Sequence, residues 1–409
     1  MFDHWEIAVE VSATMGEKAI RILLVEDNSD DALLLRRMLK EGPSDQFELV
    51  HVDRLDAALK RLSEPVFDVV LLDLSLPDSR GLETFRRLQD QTTAVPVVVL
   101  TGLDDETTAI TAAKEGAQDY VVKGQFNRGL LVRAMRYAIE RKRAEMELAN
   151  YARQLRQKNQ QMQSDLDLAR EVQLALLPQQ FPTFPHGVAP KDSALTFCGR
   201  YEPAATLGGD YYDVFPLSNS AAGVLICDVM GHGVRAGLLT AMIRALMEEL
   251  TAPATGVAAD PGRLLTQINR GLTVILKQAG TTLFVTAFYL VADVARGQLR
   301  YANAGHPSPL HVRRDLKTVE LLGEDNESGP ALGLLENAVF KTFEQPMSAG
   351  DLAMLFTDGL FEAEGSSGEI FGEKRLREAV QKYLHLPMNG LFDALLAEVR
   401  QFSQQRGLA

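Results

Sequence analysis

The sequence predicts an α/β domain with a doubly wound, five-stranded parallel sheet, then a long coiled-coil helix, then an α+β domain of antiparallel strands. Three observations support this fold class. Buried apolar strands alternate with helical segments near the N-terminus, a proline-free stretch follows, and two helices are inserted among the later strands. At 409 residues the chain is long enough for two domains and their connections.

Composition and charge exclude several classes of function. Apolar residues make up 46% of the chain and charged residues 24%, which is typical of a globular protein with sizeable cores. A net charge of −13 argues against general binding to nucleic acid or anionic membranes. No apolar run approaches the ~18 residues of a membrane span. Two cysteines without metal-ligand spacing and the absence of a signal peptide predict a reducing, cytoplasmic compartment.

The first domain is expected over residues 20–141, after an N-terminal extension over 1–19 that shows no usable pattern. Helical segments separate its strands, which are expected at 20–25, 67–72, 95–100 and 120–123. The helix over 29–41 is expected to bury Leu33, Leu34, Met38 and Leu39. Because βα repeats give a parallel sheet, the C-terminal ends of its strands meet at one edge, where ligands bind.

Five polar residues with a shared chemistry fall at that edge: Glu26, Asp27, Asp73, Thr101 and Lys123. Three carboxylates can hold Mg²⁺, and one of them can attack a phosphoryl group held by the ion. A threonine hydroxyl and a lysine can then grip the phosphoryl oxygens. Helix capping or surface charge would explain any one of these residues alone, but the five together favour phosphoryl transfer.

The spacing of these residues resembles the receiver domains of two-component response regulators. The resemblance implies that Asp73 accepts phosphate from a cognate histidine kinase. It also implies a Mg²⁺ site made by Glu26, Asp27, Asp73 and the carbonyl of Ser75, and a switch group of Thr101, Tyr120 and Lys123. One departure is Gly124, since the family usually has proline after the lysine.

Residues 142–178 are expected to form a helical, coiled-coil linker. Apolar residues recur every seven positions, at Leu148, Leu155, Met162, Ala169 and Leu176. Lys158 and Asp165 interrupt the second seam position, which indicates a phase shift. We expect this helix to make a parallel homodimer. A DNA-binding arm is the less favoured interpretation of its basic stretch, because no helix-turn-helix context accompanies it.

The second domain is expected over 195–409, after a proline-containing loop linker at 179–194. Its strands are expected at 195–201, 211–217, 222–228, 283–292 and 298–303, with helices at 234–250 and 260–278. Asp210, Asp228 and Asp358 each stand at a glycine beside an apolar strand. Three carboxylates without a Cys or His cluster suit hard ions such as Mg²⁺ or Mn²⁺.

Five motifs here resemble the bacterial metal-dependent Ser/Thr phosphatases of the PPM family, in the branch of stress-response and sporulation (SpoIIE-type) phosphatases. They are GGDYYDV (208–214), CDVMGHG (227–233), FVTAFY (284–289), YANAGHPSP (301–309) and LFTDGLFEA (355–363). The resemblance implies a β-sandwich flanked by helices. It also implies two Mn²⁺ or Mg²⁺ ions that activate a shared water for attack on phosphorus.

The same resemblance implies the ligand of each ion. Asp228 would bridge the two ions, Asp210 would lie on the side of the first, the carbonyl of Val229 would add a backbone ligand, and Asp358 would bind the second. His232 and His306 are candidates for orienting groups around the metals, and a structural role stays open for each.

One feature of the family is missing from the sequence. The family usually closes with a strand led by two aspartates, whereas residues 401–409 contain no Asp or Glu. Two functions therefore stay open. The leading one is a response regulator that controls a phosphoserine/phosphothreonine protein phosphatase, whose substrate in this branch is commonly an anti-sigma-factor antagonist. The alternative is a non-catalytic pseudo-phosphatase that sequesters such a partner. A nucleotidyl cyclase is disfavoured because Tyr-Tyr follows Gly-Gly-Asp.

Overall fold

The computed structural model describes residues 19–403, apart from short gaps at 42–45, 65, 93, 103–105, 204–205, 253–254, 324–327 and 367. Almost all of the predicted N-terminal extension and the last six residues lie outside the described residues. The chain divides into two compact units, Met1–Asn159 and Gln160–Ala409. Within the described ranges, no helix combines the length and the apolarity that crossing a membrane requires.

The first unit contains one parallel sheet with helices between its strands. Its elements are β1 (Ile20–Val25), α1 (Ser29–Lys40), β2 (Phe47–Val52), α2 (Leu55–Leu62), β3 (Val69–Asp73), the hairpin β4 (Ser75–Leu76) and β5 (Ser79–Arg80), α3 (Leu82–Gln91), β6 (Val97–Thr101), α4 (Glu106–Lys114) and β7 (Asp119–Val122). The long strands pair in the order β2-β1-β3-β6-β7, all parallel. The predicted five-stranded sheet is confirmed, and β2 is the strand that had not been placed.

Apolar side chains cover both faces of this sheet, in two separate clusters. Helix α1 corrects one expectation. Leu39 is buried as expected and Met38 is half-buried. Leu33 and Leu34, however, are 46% and 47% exposed, and Ala32 and Leu35 are buried in their place. The buried residues recur at intervals of three and four, as one helix face requires, and two consecutive leucines cannot both lie at the centre of that face.

Helix α5 (Arg128–Leu176) is 49 residues long and begins before the predicted linker. Its first turns pack on the sheet of the first unit through Leu131, Met135 and Ala138. Farther along, the apolar residues of the predicted seam are exposed, with Leu148 at 72% and Leu155 at 61%. Since α5 is continuous through the predicted linker up to Leu176, the predicted long helix is confirmed.

The second unit is a two-sheet sandwich with helices on both sides. Its elements are β8 (Asp210–Pro216), β9 (Ala221–Val229), α6 (Val234–Leu250), α7 (Pro261–Gln278), β10 (Val285–Asp293), β11 (Gln298–Ala304), β12 (Leu310–Arg313), β13 (Thr318–Leu321), β14 (Phe343–Pro346), β15 (Leu352–Met354), α8 (Gly372–Tyr383) and α9 (Met388–Ser403). One sheet has the order β14-β11-β10-β9-β8 and the other β13-β12-β15, both antiparallel. Helices α6 and α7 share a core with the larger sheet, and α8 and α9 share one with the smaller.

The predicted strand over 195–201 is wrong, because this segment has no regular secondary structure. A strand needs a neighbour along its edge, and none of the strands in the described ranges pairs with it. Side chains hold the segment instead. The Arg200 guanidinium lies 3.2 Å from Asp393 on α9.

Candidate active sites

Lys123 forms ion pairs with three carboxylates at the edge of the parallel sheet. Its Nζ lies 2.6 Å from Asp73 Oδ2, 2.7 Å from Glu26 Oε2 and 3.2 Å from Asp31 Oδ2. Glu26 and Asp73 reach this point because β1 ends just before Glu26 and β3 ends on Asp73. Asp31 was not among the predicted site residues. Its position in the first turn of α1 is the only sequence signal that could have indicated it.

Three carboxylates gather around this lysine. The nearest ligand oxygens of Glu26, Asp27 and Asp73 all lie within 4.8 Å of one another. Glu26 and Asp73 are buried and Asp27 is exposed, so the group is open on one side. An all-oxygen donor set of this kind fits Mg²⁺.

Burial raises the pKa of Glu26 to about 7; the hydrogen bond from Lys123 opposes this shift, and the neighbouring Asp73 carboxylate adds to it. Burial alone would lower the pKa of Lys123, but its hydrogen bonds with Asp73 and Glu26 outweigh burial and raise it. The ammonium group is therefore held charged against two buried acids, where it offsets part of their mutual repulsion.

The remaining predicted receiver residues lie along the same edge. The Ser75 N–H donates to Asp73 Oδ1 at 3.0 Å, which fixes the carboxylate at the start of β4. Thr101 ends β6, and Tyr120 lies in the neighbouring β7, opposite Val99. Thr101 is buried, and its hydroxyl donates to the Gly102 carbonyl at 3.2 Å.

In the second unit, Asp210 and Asp228 stand directly opposite each other on the paired strands β8 and β9. This close register depends on Gly209. A Cβ at Gly209 would lie 2.6 Å from the Val229 carbonyl oxygen, a contact that no other residue type could accept. The backbone of the two strands also meets here, since the Val229 N–H donates to the Gly209 carbonyl at 3.2 Å.

Thr357 brings the third aspartate toward this pair. Its hydroxyl donates to Asp210 Oδ2 at 2.8 Å, and the next residue, Asp358, opens a short 3₁₀ helix. In the part of the chain that the structure describes, only the receiver acids place three carboxylates within 4.8 Å of one another, so Asp210, Asp228 and Asp358 are spread more widely than that.

Electrostatic repulsion is strong at this second site. Burial raises the pKa of Asp228 to about 7, with Asp210, Asp358 and Glu362 as further causes. Burial also raises the pKa of Asp210, although the hydrogen bond from Thr357 opposes it. A divalent cation would relieve this repulsion, and the all-oxygen donor set fits Mg²⁺ or Mn²⁺. Glu362 was not among the predicted site residues.

The two histidines occupy different environments. His232 is exposed in the glycine turn before α6. His306 is buried, and burial lowers its pKa to about 4, so its ring is neutral at physiological pH. Its Nε2 lies 3.1 Å from the Phe356 carbonyl and must carry the proton, which leaves Nδ1 to accept from the Thr286 hydroxyl at 2.9 Å. His306 thereby ties β10 to the segment that leads to Asp358.

Cys227 lies in β9 immediately before Asp228 and is fully buried, which raises the pKa of its thiol. Cys198, in the irregular segment, is half-buried, and burial raises its pKa as well. Neither thiol therefore has the lowered pKa of a catalytic nucleophile.

A cavity of about 1060 Å³ lies beside the acidic site of the second unit. Side chains of both sheets line it, and Asp210, Asp228 and Asp358 stand on its wall. Its volume is of the size that ligand pockets in proteins commonly have.

Comparison with known proteins adds to this picture. The family model for Stage II sporulation protein E (SpoIIE) matches residues 218–408, and the model for the response regulator receiver domain matches residues 22–136. Phosphoserine phosphatase RsbU of Bacillus subtilis is 28% identical over 246 residues, covering 59% of this chain and 68% of its own. Phosphoserine phosphatase RsbP of the same organism is 26% identical over 203 residues, covering 49% of this chain and 46% of its own.

Among solved structures, the SiaA-PP2C domain of Pseudomonas aeruginosa is 21% identical, with a TM-score of 0.48 over 61% of this chain and 93% of that domain. The two family models match separate regions, and each region contains one of the two acidic sites described above. Of the predicted site residues, Asp210 alone lies outside the matched ranges, eight residues before the range of the SpoIIE model begins. The chain thus contains a response regulator receiver domain followed by a SpoIIE-type phosphatase domain of the PPM family.

Proposed function

We propose that this protein is a response regulator in which phosphorylation of Asp73 controls a metal-dependent phosphatase for phosphoserine or phosphothreonine in a protein partner. The facing pair of Asp210 and Asp228, on the wall of a cavity of about 1060 Å³, is the observation that carries the proposal. We propose domain limits at 20–141, 142–178, 179–194 and 195–409, after an extension over 1–19.

At the receiver site, Asp73 would act as the nucleophile toward a phosphoryl group from a cognate histidine kinase. Glu26, Asp27, Asp73 and the carbonyl of Ser75 would hold Mg²⁺. Lys123, whose Nζ lies 2.6 Å from Asp73 Oδ2, would neutralise a phosphoryl oxygen on that carboxylate. Thr101 and Tyr120, on neighbouring strands, would form the switch pair.

At the phosphatase site, Asp210, Asp228, Asp358 and the Val229 carbonyl would hold two Mn²⁺ or Mg²⁺ ions. Bound ions of this kind supply Lewis acidity and an activated water. The chain's own residues arrange the ligands. Gly209 permits the close pairing, Thr357 orients Asp210, and neutral His306 anchors the segment before Asp358.

The class of substrate is proposed from two similar proteins. RsbU and RsbP are named as phosphoserine phosphatases, so we propose a phosphoprotein substrate, an anti-sigma-factor antagonist by the family resemblance. The alternative is a pseudo-phosphatase that binds such a partner without hydrolysis. We further propose that α5 dimerises through its exposed seam, since Leu148, Leu155 and Met162 are 60–72% exposed in the single chain.

The phosphoacceptor assignment is tested with Asp73→Asn. A small-molecule phosphodonor and Mg²⁺ should label the native protein with acid-labile phosphate, and the variant should lose this labelling because the amide is not a nucleophile. Asp90→Asn, an exposed aspartate at the end of α3, is the matched control and should label normally. Undiminished labelling of Asp73→Asn would rule out the assignment.

The catalytic proposal is tested with Asp228→Asn. Hydrolysis of a phosphoserine peptide should require Mn²⁺ or Mg²⁺, and the variant should lose at least ~10²-fold in rate, the scale for removing a principal electrostatic contributor. Asp315→Asn, on an exposed turn, is the control. A native rate that survives a chelator would contradict metal dependence. A native protein that binds the phosphopeptide without hydrolysing it would favour the pseudo-phosphatase.

The same variant tests the electrostatic repulsion at the site. Because the pKa of Asp228 is raised to about 7 in the folded protein, the folded state holds a proton that the unfolded chain has released. The contribution of Asp228 to stability therefore falls as pH rises from about 4 to 7. With metal removed, Asp228→Asn should be more stable than native at pH 8, by on the order of 1–2 kcal/mol after allowance for solvent screening.

Urea unfolding followed by circular dichroism at pH 5 and pH 8, with a chelator present, measures this difference. The gain in stability should be clearly smaller at pH 5, because most of the loss in the native protein develops between pH 5 and pH 7. A variant less stable than native at pH 8 would show that repulsion does not dominate at this site.

The role of α5 in signalling is tested with Leu155→Pro, which removes an internal hydrogen bond of the helix and interrupts the exposed seam. We expect light scattering to show loss of the dimer, and phosphodonor should no longer change phosphatase activity. Arg156→Ala, the adjacent exposed position outside the seven-residue repeat, is the control. A native chain that stays monomeric at all concentrations and still responds to phosphodonor would contradict this role.

A further inference from the structure

Gln173 is a buried polar residue on an otherwise exposed part of a helix. From residue 143 to residue 172 the side chains of α5 are almost all exposed, whereas Gln173 is 6% exposed and Leu177, one turn farther along the chain, is 7% exposed. Leu177 belongs to the apolar core beneath the larger sheet. The end of α5 is therefore docked on the second unit through a face that carries one amide.

That amide bonds to the backbone of the segment that carries Asp210. Gln173 Nε2 donates to the Gly208 carbonyl at 2.8 Å, and Gln173 Oε1 accepts from the Gly208 N–H at 3.2 Å. The side chain thus pairs with both polar groups of one residue, two positions before Asp210. On its other side, the same segment pairs with β9 and the turn that follows it, where Leu207 accepts from the Gly233 N–H at 3.1 Å.

The same amide also reaches the helix that follows Asp228. Gln173 Nε2 lies 3.2 Å from Thr240 Oγ1, and the Thr240 hydroxyl donates to the Gly237 carbonyl at 2.7 Å in α6. Thr240 is 1% exposed. One side chain of α5 therefore contacts the chain just before Asp210 and the first turns of the helix that begins six residues after Asp228.

We propose that Gln173 is a positioning residue through which α5 sets the placement of the Gly208–Asp210 segment against β9, and so the geometry of the metal-binding carboxylates. The inference rests on the proposed function and names the contact by which the helix would regulate it. Apolar side chains alone could bury this helix face, but they could not pair with the Gly208 backbone. A slide of α5 by one residue moves the amide by ~1.5 Å, which is enough to break both bonds.

The test variant is Gln173→Met, which keeps the length and flexibility of the side chain and removes the amide. Gln163→Met is the matched control, because Gln163 is exposed on the same helix and its amide donates to Asp167 one turn away. Gln173→Glu keeps the acceptor for the Gly208 N–H and removes both donors, so it tests the bonds even if the methionine variant folds poorly.

Three readouts are expected to change together. Hydrogen exchange should accelerate over residues 206–213, since the Gly208 N–H loses its acceptor in Gln173→Met. Mn²⁺ affinity, followed by electron paramagnetic resonance of the free ion, should fall by at least tenfold. The ratio of phosphatase rates with and without phosphodonor should approach one, while labelling of Asp73 stays at the native level.

A melting temperature lowered by Gln173→Met with native Mn²⁺ affinity and native exchange over 206–213 would overturn the inference, because it is the signature of a merely structural contact. Native exchange and affinity in both variants would overturn it as well. Failure of the proposed function is a separate result. A native protein without phosphatase activity would leave the exchange and Mn²⁺ measurements to decide the role of Gln173.

Discussion

Repulsion between carboxylates brought together at strand ends is the constraint on which both sites depend. Each fold gathers acids at or near the ends of strands, and partial burial makes their charges unfavourable. In the first unit a lysine offsets this repulsion, since Lys123 forms ion pairs with Glu26, Asp73 and Asp31 at once. At the second site, the hydrogen bond that Thr357 donates to Asp210 offsets only part of the charge. The two domains thus reduce the same repulsion in different ways, one with an ammonium group and one with a hydroxyl. In both, a divalent cation would relieve the repulsion that is left.

The sequence was enough to predict those features that are local to a strand or to a turn. Apolar runs located the strands around Glu26, Asp73 and Asp228, and glycine beside aspartate indicated the turns of the second domain. It was not enough where position depends on contacts across the fold. The segment over 195–201 has the composition of a strand but lacks a paired neighbour, and α1 presents Leu35 rather than Leu33 and Leu34 to the sheet.

The same limit explains the site residues that were missed. Asp31 and Glu362 act through space on groups that are remote in sequence or on another turn, and neither stands at a strand end. Gln173 lies 35 residues before the glycine that it contacts, and the same helix carries other glutamines, such as Gln161 and Gln163, that are exposed. No periodicity separates one buried glutamine from several exposed ones, because burial there is decided by the surface on which the helix docks.

The protonated thiols of Cys198 and Cys227 have a consequence for redox chemistry. Peroxide oxidises the thiolate form of cysteine, and the resulting sulfenic acid is what silences phosphatases that use sulfur as nucleophile. Here burial raises the pKa of both thiols, and the acidic site of Asp210, Asp228 and Asp358 offers carboxylate oxygens, which peroxide does not modify. Peroxide at levels that inactivate thiol-dependent enzymes would therefore leave these two cysteines and the neighbouring carboxylates chemically unchanged.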